Sequence, residues 1–202
     1  MRMPPPRIPT AATAGFGVGP RFMPGTYTVK LIEGGQEYTA PLRVERDPRM
    51  KHTIADRKAQ YDLSVRLYGM LNEMTGVVER MNGVRGGLES RASQLTPNDT
   101  LALRLRGASG VVDTLRKKIV ATKEGGAITG EERLRENLVE LYGSVVGYEG
   151  RPSETQVART GAIGREMGDV SRAFDVWLSK ELGPINAALV ARNLARIELL
   201  VP

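Results

Sequence analysis

The chain of 202 residues contains no cysteine. That excludes a disulfide framework and every thiolate-based chemistry. Aromatic residues are 5% of the composition, with one Trp and three Phe. A core must therefore be filled by Leu, Val, Ile, Met and Ala, a composition that suits packed helices better than a sheet. There is a single histidine, His52. A Ser-His-Asp arrangement would have to use it, and no nucleophile signature surrounds it, so His52 reads as a junction residue. No apolar run reaches the 18 residues that a membrane-spanning helix needs. The first residues, Met1 to Pro6, lack the apolar stretch of a secretory signal.

Basic charge is in excess, net +6 with a pI near 9.8. The excess is regional. Residues 1–52 hold 8 basic and 4 acidic side chains, and residues 126–202 hold 9 and 11. Arg104, Arg106, Arg116, Lys117 and Lys118 form a candidate basic strip. Few aromatics are available to stack on bases, so nucleic-acid binding is disfavoured.

What the sequence has in quantity is heptad rhythm. Leu63, Leu67, Met70, Met74, Val77, Met81, Val84 and Leu88 alternate spacings of four and three. Such a seam makes one apolar stripe along a long helix. Thr53 and Asp56 form a capping box, which predicts a helix from Thr53 to Leu95 that continues through Gly83, Gly86 and Gly87. Thr96-Pro97 opens a second helix with seam residues Leu101, Leu105, Ala108, Val112, Leu115 and Ile119, closed by Gly125-Gly126. Thr129 to Glu132 reads as the cap of a third helix carrying Leu134, Leu138, Leu141 and Val145. Ser153 with Gln156 caps a fourth, with Ile163, Met167, Val170, Phe174 and Trp177. Gly183-Pro184 ends or kinks it, and residues 185–197 make a short terminal helix. Short loops favour antiparallel neighbours. The predicted fold is mainly α: an up-down bundle of four helices plus a short C-terminal helix, with an N-terminal β-hairpin.

Three regions follow. Residues 1–23, rich in Pro and Gly, read as a tail or linker. Residues 24–49 are the hairpin, and residues 53–202 the bundle. In the hairpin, Tyr27, Val29 and Leu31 alternate with polar residues before Gly34-Gly35, and Tyr38, Ala40, Leu42 and Val44 alternate after it. Pro41 lacks an N–H and must face an edge. A lone hairpin is marginal in water, so its face is the candidate interaction surface, with Tyr27, Val29, Leu31, Tyr38 and Leu42 as contact residues. A protein partner or self-association through this face is the expected mode.

Other chemistry finds little support. Gly15 to Gly19 looks like a phosphate-cradling loop, but no strand precedes it and Pro20 follows. Glu132, Glu136 and Glu140 are spaced for one helix face, yet no Glu-x-x-His pair accompanies them. No catalytic residue, cofactor site or metal site is assigned.

Pro24-Gly25-Thr26-Tyr27-Thr28-Val29-Lys30-Leu31, Tyr38 to Val44 and Asp47-Pro48-Arg49 together resemble a stretch near the C-terminus of large bacterial sortilin-like β-propeller proteins. These are often labelled BNR-repeat or glycosyl-hydrolase-like. In that family the stretch closes a small immunoglobulin-like module, and a helical segment follows with an early Ala-Asp and Gln, here Ala55-Asp56 and Gln60. The resemblance implies an exported protein, with the hairpin as the remnant of a β-sandwich. It implies a non-catalytic structural or interaction module at the C-terminal side of a propeller. The alternatives are a fragment of a hydrolase-like enzyme whose active site lies in the propeller and, from the basic excess alone, a basic bundle binding nucleic acid or an anionic surface. The resemblance carries no catalytic residue onto this chain.

Overall fold

The computed structural model describes residues 1–11, 17–123 and 131–199. Its longest element is α1, Ile54–Ala92, of 39 residues and about 58 Å at 1.5 Å per residue. Thr53 caps it. The Thr53 side chain accepts from the Asp56 N–H at 3.1 Å, and the Thr53 N–H donates back to the Asp56 carboxylate at 3.1 Å. The helix runs unbroken through Gly83, Gly86 and Gly87.

Three helices pack on it. α2 spans Thr100–Ile119, α3 Leu134–Val146 and α4 Glu154–Trp177, and α1 touches all three. Leu67, Leu71, Met74, Met81 and Leu88 of α1 are fully buried with Leu105, Leu138, Tyr142 and Phe174. Both fully buried aromatics thus come from the partner helices, and α1 supplies the aliphatic wall. Met70, Met74 and Met81 fill core, as their seam positions require. Trp177 lies at the edge of this core, stacked on Phe174 with ring centroids 6.4 Å apart.

Several boundaries differ from expectation. Asp99, not Thr96, caps α2, accepting from the Leu101 N–H at 2.7 Å. Residues 96–99 instead form a turn closed by the Asp99 N–H on the Thr96 carbonyl. The expected cap of α3 at Thr129-Gly130 lies outside the described residues. Arg133 takes the cap position, and its N–H donates to the Glu136 carboxylate at 3.0 Å. Glu132 precedes the helix, so Glu132, Glu136 and Glu140 do not share one helical stripe. Gly183-Pro184 does not stop α4. The chain widens into a π-helical turn, Leu178–Leu182, and continues as α5, Gly183–Val190, with Pro184 in its first turn. The terminal helix ends eight residues after it begins. Asn193 takes a positive φ of 57°, and residues 194–199, neither helix nor strand, lie against α1 at Gly87 and Arg91.

The N-terminal tail is docked on the bundle. Pro6, Pro9, Gly19 and Pro20 are buried, and Ile8 packs against the core. Arg135, itself buried, donates to the Pro9 carbonyl at 2.8 Å, and the Tyr142 hydroxyl donates to the Val18 carbonyl. The Arg7 N–H reaches the Asn72 side chain at 2.8 Å. Met1–Met3 pairs antiparallel with Pro20–Phe22. Gly19 sits where a Cβ would overlap the Met3 carbonyl, so this close approach requires glycine. The phosphate-loop resemblance of Gly15 to Gly19 falls in part on undescribed residues, and its described part serves this contact.

Candidate interaction surface on the hairpin

β1, Gly25–Glu33, and β2, Gln36–Val44, form a two-stranded antiparallel sheet with Glu33 opposite Gln36. Gly34 and Gly35 both have positive φ, 56° and 83°, the geometry of the tight primed turn that matches strand twist. The register sets Tyr27 opposite Leu42, Val29 opposite Ala40 and Leu31 opposite Tyr38. Side chains alternate faces, so these six residues make one apolar face. The five residues expected from the sequence are brought together, and Ala40 joins them.

That face is open. Every residue of the two strands is exposed except Tyr27 and Val44, which are half-buried. Leu31 is 59% exposed and Tyr38 55%. Ile32, on the opposite face, is also exposed and has no counterpart in the sequence-based list. Its polar neighbours on that face, Thr39 and Glu37 among them, disguise it in a pattern search.

The foot of the hairpin is fixed. The Tyr27 hydroxyl donates to the Met23 carbonyl at 2.7 Å, and its ring meets Phe22 edge-on at 5.2 Å. Arg57 of α1 donates to the Arg21 carbonyl at 3.0 Å. Beside this foot lies a cavity of about 200 Å³, lined by Phe22, Pro24, Val44, Met50, His52 and Arg57, among others. His52 packs edge-on against Tyr148 at 5.2 Å. Burial lowers the Arg57 guanidinium pKa, and Arg21 and Arg2 nearby lower it further. The Arg49 guanidinium holds the Asp47 carboxyl at about 2, well below its ordinary value. Asp47 is thus engaged by Arg49, through its backbone N–H at 2.9 Å and its guanidinium at 2.7 and 3.0 Å.

The basic strip is largely engaged. Arg116 and Lys117 both reach Asp113 at 2.8 Å, Arg104 faces Glu181 at 3.8 Å, and Arg106 donates to the Pro97 carbonyl at 2.8 Å. Among the described residues, no cluster of three or more His, Cys, Asp or Glu is arranged to hold a metal ion. No helix of the described residues is long and apolar enough to cross a membrane.

Fold and surface define a mainly α protein, a helical bundle that carries a protruding, apolar-faced hairpin. Comparison of the chain with protein-family models, curated proteins and solved structures gives no match.

Proposed function

We propose that this chain is a non-catalytic structural or interaction module whose hairpin face binds a protein surface. The observation that supports it is the contrast in burial. The bundle closes its own core, while Val29, Leu31, Tyr38 and Leu42 stay exposed together on one sheet face. A contiguous apolar patch of this kind marks an association surface. The resemblance of Pro24 to Arg49 to the end of an immunoglobulin-like module supports the same reading. On that reading the module belongs to a larger exported propeller protein, and the face meets the rest of a sandwich or a second copy.

The test is association at rising concentration, followed by sedimentation velocity, for the chain and its Leu31→Asp and Leu42→Asp variants. Both positions are exposed, so the bundle melts within about 0.5 kcal/mol of the parent in each variant. Concentration-dependent association of the parent, weakened in both variants, is the expected result. Identical association of parent and variants overturns the proposal.

A further inference from the structure

We propose that the cavity at the foot of the hairpin is a phosphate-binding site, in which Arg57 and Arg21 hold the dianion of a small phosphate monoester or of free phosphate. The exposed residues of the hairpin face, Val29, Leu31, Tyr38 and Leu42, are not among those that line this cavity. The site therefore stands whether or not that face binds a partner.

The charges around the cavity do not balance. Three carboxylates line it, and each is already taken. Arg43 reaches Glu45 at 3.0 Å, Arg49 holds Asp47 at 2.7 Å, and Arg21 pairs with Glu149. Arg57, also in the lining, spends its N–H groups on neutral acceptors. It donates to the Gln60 side-chain oxygen and to the Arg21 carbonyl. Among the described residues it has no carboxylate partner.

A third guanidinium stands behind these two. Arg2 and Arg21 are opposite each other in the antiparallel bridge of the N-terminal segment. The hydrogen bonds of that bridge run from the Met3 N–H to the Pro20 carbonyl and from the Phe22 N–H to the Met1 carbonyl. Arg2 and Arg21 are therefore its non-hydrogen-bonded pair, the closer kind, with Cα atoms about 4.5 Å apart. Like charges directly opposite are destabilising. Arg2 donates to the Gly19 carbonyl at 2.9 Å and, among the described residues, has no carboxylate partner either. Burial first, then Arg21 and Arg2, disfavour the charge on Arg57. Three guanidiniums thus share one carboxylate, that of Glu149, which leaves two positive charges unbalanced.

A dianion cancels that excess. The planar guanidinium fork matches phosphate oxygens two at a time, and Arg57 and Arg21 approach from α1 and from the segment before β1. The cavity of about 200 Å³ is smaller than the roughly 300 to 1,000 Å³ of drug-sized ligand sites, so the ligand is small. Phe22, Val44 and Met50 offer apolar wall for a short organic group beside the phosphate.

The test titrates inorganic phosphate, phenyl phosphate and benzoate into the full chain at constant ionic strength and at a pH of about 8, where phosphate esters are dianions. The arginine Nε–H resonances and the amides of Phe22, Val44 and His52 are followed by NMR. Saturable shifts with phosphate or phenyl phosphate, at least about tenfold tighter than with benzoate, are the expected result. Tighter binding of phenyl phosphate assigns a monoester; equal or tighter binding of inorganic phosphate assigns the free ion. Arg57→Gln weakens phosphate binding by at least about tenfold. Glu149→Gln removes the competing carboxylate and tightens it, a gain that no loss of structure can produce. Benzoate binding as tightly as either phosphate, or shifts that do not saturate, overturns the proposal. So does an affinity unmoved by Arg57→Gln, or unchanged or lowered by Glu149→Gln.

Discussion

Gly86 and Gly87 are adjacent on α1, and replacing each by alanine should have opposite effects. Alanine in a helix interior is favoured over glycine by about 1 kcal/mol. At Gly86, which is exposed, a Cβ meets nothing within 4 Å, so the full gain is expected. At Gly87 the Cβ would stand 3.0 Å from Cγ2 and 3.3 Å from Cγ1 of Ile197. Ile197 is 4% exposed and is the apolar anchor of the C-terminal strap, residues 194–199. It is not free to retreat. The Asn186 side chain accepts from the Ile197 N–H at 2.8 Å and donates to its carbonyl at 3.1 Å. Arg91 donates to the Ala195 and Arg196 carbonyls at 3.1 and 2.9 Å.

Displacing Ile197 forfeits about 2 kcal/mol of apolar burial before any hydrogen bond is counted. Gly87→Ala should therefore be destabilised by about 1 kcal/mol net, and Gly86→Ala stabilised by the same amount. For a chain of this size 1 kcal/mol shifts Tm by about 2–4 °C. Calorimetry on the two variants gives the sign, and exchange of the Ile197 amide shows whether the strap has lifted. Equal gains in Tm with Ile197 still protected would refute the packing argument.

Two further predictions concern caps and docking. Thr53 and Arg151 hold the Asp56 carboxyl at about 2, below its ordinary 3.8. The group is more acidic when folded, so it stabilises the fold above pH 3.8 and that contribution fades as pH falls toward 2. Thr53→Ala should raise the Asp56 midpoint in a carboxyl NMR titration and cost about 1 kcal/mol as a lost cap; an unmoved midpoint contradicts the capping box. Burial, with Tyr68 nearby, lifts the Tyr142 hydroxyl to about 12 from 10.0. A raised acid stabilises the fold below pH 10 and loses that contribution between pH 10 and 12. Tyr142→Phe should lack this alkaline loss and, by leaving the Val18 carbonyl unpaired, cost about 1–3 kcal/mol with faster exchange at residues 17–23; unchanged exchange there would show that the bond does not hold the segment.

The helices were legible because their caps and seams are local. Thr53 with Asp56 and Ser153 with Gln156 cap helices as their spacing requires. The heptad seam of α1 was legible but too narrow. Leu71 and Val78 are buried beside it, and Val77, a seam residue, is only half-buried. A two-in-seven stripe describes a helix with one neighbour, whereas α1 has three. The C-terminal stop at Asn193 was visible in principle, since Asn tolerates the left-handed conformation, but the apolar residues beyond it imitate helix continuation. The docked tail was not legible. Its partners, Arg135 and Tyr142, lie more than a hundred residues away, and composition alone gives proline-rich segments the look of linkers. Five of the six residues of the hairpin face were legible, all but Ala40, because a two-residue turn fixes register and register fixes faces.

The tail and the hairpin bear on each other. A two-stranded sheet is marginal by itself, and among the described residues the apolar side chains of this one stay exposed rather than packed on a helix. What holds it is the turn at Gly34-Gly35 and the foot at Phe22, Met23 and Tyr27. The foot is rigid because Arg57 grips the Arg21 carbonyl and Met1–Met3 pairs with Pro20–Phe22. Prolines at 4, 5, 6, 9 and 20 reduce the entropy lost when that segment is ordered. Docking of the tail therefore fixes the direction in which the hairpin leaves the bundle. The upper strands are exposed on both faces, and burial of their apolar face by the proposed partner would supply stabilisation that the bundle does not. On the proposed function, partner binding and hairpin stability would be linked: a substitution at the foot, far from the face, should then weaken association by freeing the hairpin's orientation, although it removes no contact with the partner.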